Sequence, residues 1–145
     1  MKIAFVALAL STLVACEKAS DLGKMQEEAT DVASHAKPEY KELDEQARAL
    51  EALGSNLPHG DKNVEDAGGK LGEARGALNQ MLATLSAAPI EIDKAAKSGV
   101  SDNMVAVIDK MRAIFDHDET VARADIESVQ DWMILRGQLA APLPR

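Results

Sequence analysis

"VSDNMVAVIDKMRAIFDHDETVARADIESVQDWMILRG", Val100 to Gly137, decides the fold. Its apolar positions Met104, Ile108, Met111, Phe115, Ala122, Ile126, Val129 and Met133 recur at steps of three, four and seven. Those steps return each side chain to one face of a helix with about 3.6 residues per turn. Ser101 is a suitable N-cap, and Val100 and Val105 have the placement of a hydrophobic staple. Gly137 stands where the backbone must leave the helix. The spacing predicts one long helix to about Arg136, followed by a Pro-containing flexible tail, "QLAAPLPR", residues 138–145.

The same period extends upstream. Val64, Ala67, Leu71, Ala74, Leu78, Met81 or Leu82, and Leu85 trace a helix over about 63–87. Gly68, Gly72 and Gly76 form one row along it, which suits close approach of a neighbouring helix. Pro89 and Gly99 bracket a short separate helix. Earlier still, Leu22, Met25, Ala29, Val32, Ala36, Tyr40, Leu43, Ala47, Leu50 and Leu53 make a near-heptad stripe. Ser20 or Asp21 suits its start, and Pro38 predicts a kink or a junction of two helices. "GSNLPHGDKN", Gly54 to Asn63, is breaker-rich and supplies the first connection, with Asp61 or Asn63 as the next cap. The fold class is therefore all-α: an elongated up-down-up helical bundle of three long helices plus one short helix, with coiled-coil-like seams, over residues 25–137. Asp44–Arg48, Asp66–Lys70, Asp93–Lys97 and Glu119–Arg123 place acid before base at the favourable helical spacing.

Composition narrows function. The 145 residues are 46% hydrophobic but only 3% aromatic, with a formal charge of −8. That charge disfavours nucleic acid and anionic lipid as partners and admits a basic protein. The chain carries no nucleophile elbow, phosphate-binding glycine loop, paired-histidine zinc motif or haem-attachment motif. The expectation is a protein without enzymatic activity and without a metal or other non-covalent cofactor.

The N-terminal segment "MKIAFVALALSTLVAC" joins Lys2 to an apolar stretch, Ile3 to Leu10, shorter than the ~20 residues of a spanning helix. It reads as a secretory signal over residues 1–15, whose removal takes Lys2 and leaves the remainder one unit more negative. The stretch Leu13-Val14-Ala15-Cys16 resembles the lipobox of bacterial lipoproteins. The resemblance implies cleavage between Ala15 and Cys16, a diacylglyceryl thioether on Cys16, and acylation of the new N-terminus. It covers four residues and implies nothing about the remaining fold. Several acyl chains at roughly 0.8 kcal/mol per buried CH₂ hold a protein on a membrane where one chain does so only marginally. Residues 16–24 then form a lipidated tether. By the sorting rule of enteric lipoproteins, Glu17 points to the periplasmic face of the outer membrane rather than to the inner membrane.

Two constellations remain. His35 and His117 lie at similar distances from the starts of the first and last long helices, and Asp118 falls on the core side, so the three form a candidate ligand or pH-sensitive cluster. Trp132 and Met133 form a candidate partner anchor at the end of the last helix. The sequence thus describes a lipid-anchored periplasmic lipoprotein acting through an envelope protein partner as a structural or assembly element. The alternatives are a metal, haem or small-ligand binding bundle and an immunity or inhibitor lipoprotein against a basic toxin or hydrolase. The near-heptad of the first helix also admits self-association.

Overall fold

The computed structural model describes the backbone of residues 4–58 and 60–144, and the side chains of that span from Asp21 onward. The signal-segment residues Met1–Ile3 lie outside the described residues, as do the side chains of Ala15 and Cys16, where cleavage and lipidation are expected. Three helices, α1 (Ala4–Gly54), α2 (Lys62–Ser98) and α3 (Ser101–Leu135), each pack against the other two. Among the described residues there is no strand, and no helix is long and apolar enough to cross a membrane.

Cross-helix bonds set the directions. Arg112 donates to Glu28 at 2.6 Å, Arg123 to Glu39 at 2.8 Å and Gln130 to Gln46 at 3.5 Å, each pair separated by 84 residues. A constant separation means that α1 and α3 run parallel in one register. Between α2 and α3 the numbers run in opposite directions: Arg136 reaches Asp61 at 3.0 Å, and further along Lys70 donates to Ser128. The chain therefore passes up, down and up.

The predicted stripes face inward. Leu43 and Leu50 of α1, Leu78 and Met81 of α2, and Met104, Ile126, Val129 and Met133 of α3 are each under 2% exposed. Burying a side chain of this size contributes roughly 1.5–3 kcal/mol. Before Leu43 the buried positions of the described α1 seam are alanines, Ala29 and Ala36, with Leu22, Met25, Val32 and Tyr40 partly buried beside them. Two grooves flank α1 there: one of about 580 Å³ against α2, the other of about 710 Å³ against α3.

Several expectations need correction. The separate short helix does not form, because α2 continues through Pro89 to Ser98 and ends at Gly99 with φ 66°. Likewise α1 is one helix through Pro38, with no junction near Ala36, and it is already helical upstream of Ser20 and Asp21. Both prolines are exposed, so each ring stands on the solvent side, where water can serve the carbonyl left without its amide donor. Those carbonyls belong to Ser34 and Leu85, and both residues line the α1–α2 groove. The glycine row is no internal seam: a Cβ built at Gly68, Gly72 or Gly76 meets nothing within 4 Å. Val100, not Ser101, precedes α3, and Val100 and Val105 stay 47% and 40% exposed, so the staple is not made. Ser98 serves the junction instead, its Oγ accepting from the Val100 N–H and from Asn103 Nδ2. Asp61 does cap α2, accepting from the Asn63 N–H at 2.9 Å.

Candidate functional site

The histidine cluster does not assemble. His35 is exposed, bonds through Nδ1 to the Asp31 carbonyl at 2.8 Å, and lines the α1–α3 groove with Asp116 and Glu119. By the common register His35 stands level with Glu119, near the height of His117. His117, however, is not part of that groove. It follows Lys110 by two helical turns, and Lys110 lines the opposite groove, between α2 and α3. Height was legible in the sequence, but the side of α3 was not. Among the described residues no group of three or more His, Cys, Asp or Glu side chains could hold a metal ion.

Asp118 turns inward, as its spacing from Phe115 and Ala122 predicts, and is 4% exposed. Its Oδ2 has no hydrogen-bond partner. Burial pushes its carboxyl above the ordinary aspartate range, and the charge of neighbouring His117 opposes that only in part.

The α1–α3 groove is acidic. Glu27, Asp31, Glu39, Asp116 and Glu119 line it and outnumber Lys24, while Arg112 is bonded to Glu28. Just beyond, Arg123 gathers Glu39, Glu42 and Glu119 within 3.7 Å. Burial opposes the charge of Arg123, yet its bond to Glu119 and the surrounding carboxylates leave its pKa raised. On the other flank Arg75 of α2 joins Glu51 at 2.7 Å and also bonds Asp44. The Arg75 bond holds Glu51 below the usual glutamate range. Three of the four predicted surface pairs form, at 2.9, 2.7 and 3.1 Å; Lys70, expected to pair with Asp66, reaches Ser128 instead.

At the far end of the bundle the predicted anchor divides. Met133 is buried and Trp132 half-buried, with the Arg136 guanidinium 5.3 Å from the indole centroid. Leu57, Val64 and Leu71 share their groove of about 370 Å³, so this pair closes the bundle rather than projecting from it. Leu135, 87% exposed, does project at this end.

Sequence reasoning missed a buried pair of amides in the α1–α3 seam. Gln46 and Gln130 are 8% and 5% exposed. The C-terminal segment, read from the sequence as a flexible tail, lies against them. Gln46 Nε2 donates to the Pro144 carbonyl at 3.0 Å, and Gln130 Oε1 accepts from the Leu143 N–H at 3.3 Å. Leu139 and Leu143 pack against the core. The available signal was the pair of leucines, Leu139 and Leu143, in the tail. The two glutamines, one beside Ala47 and the other beside Val129, gave none until the register joined them.

No family model matches the chain, and no match is found among curated proteins or among solved structures.

Proposed function

We propose that this protein is a lipid-anchored lipoprotein of the bacterial envelope that works through protein–protein contact, without enzymatic activity. The observation that carries the reading is the apolar segment ending in Leu13-Val14-Ala15-Cys16, followed by a long, acidic, all-helical chain. Acyl chains on Cys16 hold the N-terminal end of α1 at a bilayer surface. The bundle then stands off that surface and presents an acidic flank along α1 and α3 to a basic partner. The outer membrane follows from Glu17 by the sorting rule of enteric lipoproteins.

Intact mass of the membrane-extracted protein, together with capture of partners from crosslinked envelopes, tests this reading. A chain starting at acylated Cys16 with one reproducible envelope partner is the expected result. A chain with unmodified Cys16, or Cys16→Ser protein that stays in the membrane fraction, overturns the anchor. An acylated chain that crosslinks to no protein overturns the contact role.

A further inference from the structure

We propose that the α2–α3 turn, Ser98 to Ser101, is a second membrane contact, resting on the bilayer beside the anchor at Cys16. The inference deepens the anchor reading above and rests on it. Three bonds between α1 and α3 join residues 84 apart. Carried along the two helices, that separation sets Val100 level with position 16. The chain from Ala4 to Gly54 is one helix, and its Leu22 and Met25 still pack against the core. Only about two helical turns lie between Leu22 and position 16. Cleavage before Cys16 therefore removes the part of α1 that passes the turn and leaves the helix flush with it.

A flush base has no slack. Residues 16–24 belong to α1, so acyl chains on Cys16 are joined to the bundle by helix rather than by a loose segment. Whatever lies level with Cys16 is then held at the bilayer surface. The turn is built for a fixed position there. Helix α2 ends at Ser98 and α3 begins at Ser101, with Gly99 at φ 66° between them. Ser98 Oγ accepts from the Val100 N–H at 3.2 Å and from Asn103 Nδ2 at 2.9 Å, which braces the connection. Val100 is 47% exposed at its tip, and Val105, 40% exposed, is the next large apolar side chain left open along α3. Positive charge is not in surplus: Lys97 is bonded to Asp93 at 2.7 Å, and Asp102 stands in the first turn of α3. The partner that fits is the headgroup layer of a zwitterionic bilayer, met by Val100, rather than an anionic surface held by lysines.

The test places the membrane-extracted, acylated protein in phosphatidylcholine vesicles, with and without bromine on the upper acyl carbons, and reads tryptophan quenching. The chain carries one tryptophan, Trp132, about 48 Å along α3 from Val100. Val100→Trp in a Trp132→Phe background is expected to be quenched at least twofold, at low and high salt alike. Trp132 itself, and Lys41→Trp in the same background, an exposed position far up α1, are expected to lose less than a tenth. A ten-residue glycine-serine insertion after Glu17 is expected to at least halve the quenching of Val100→Trp. Absence of quenching at Val100→Trp overturns the contact, and equal quenching of Lys41→Trp overturns the upright seating of the turn. Quenching that survives the insertion belongs to a tryptophan seeking the bilayer by itself, and overturns the fixed placement. A protein that does not stay with the vesicles overturns the anchor at Cys16 and this inference with it, so the two failures are told apart.

Discussion

Asp118 sits among the apolar positions of α3 with a carboxylate oxygen that no donor meets. Withdrawing an ionised carboxylate from water without a compensating bond destabilises the fold. Because its folded pKa lies above its unfolded one, the cost is full at neutral pH and shrinks as the pH falls through the raised folded value. Asp118→Asn, which keeps the shape and removes the charge, should therefore stabilise the protein at pH 7 by about 1 kcal/mol. The gain should fade in melts at progressively lower pH; a gain independent of pH would locate the effect elsewhere. Glu51 has the opposite sign: its lowered pKa contributes stability above the ordinary glutamate range that is lost as the pH falls through the folded value. Arg75→Ala should cost about 1 kcal/mol in urea unfolding, less at high salt, and should flatten the acid limb that Glu51 supplies. The inward position of Asp118 was legible from spacing alone. The missing partner was not, since a donor from α1 or α2 would have been invisible in the periodicity of α3.

At the scale of the helices, period 3.6 carried the assignment and the breakers misled it. A proline's cost depends on the face it occupies, and Pro38 and Pro89 both occupy the outer one. The sequence marks a proline but not what its freed carbonyl meets, so the separate short helix and the junction of two helices near Ala36 were artefacts of reading residue type without direction. The glycines of α2 went astray for a related reason. A row of small residues shows that something can come close, not that anything does. Since the row is open and none of Gly68, Gly72 and Gly76 has positive φ, alanine at each should gain up to about 1 kcal/mol. The triple variant should unfold at clearly higher denaturant with an unchanged slope. Loss of stability would mean that the row lies against something in solution.

For the molecule as a whole, three pairs with one separation tie α1 to α3, and the tail closes over the last of them. Arg123 holds the centre of that arrangement with three carboxylates. Arg123→Ala should lower stability by about 1–2 kcal/mol, because it leaves those carboxylates to repel one another across the seam. Additivity with Arg75→Ala is expected, as the two arginines serve different helix pairs; strong coupling would contradict the register described here.

A parallel, in-register pair also has a mechanical meaning. A pull on the N-terminal end of α1, directed along its axis, slides α1 past α3. The Glu28, Glu39 and Gln46 contacts then strain together and must yield together. Peeling would break them one after another, at a lower force. The up-down-up order makes the first helix the one by which such a bundle is best held.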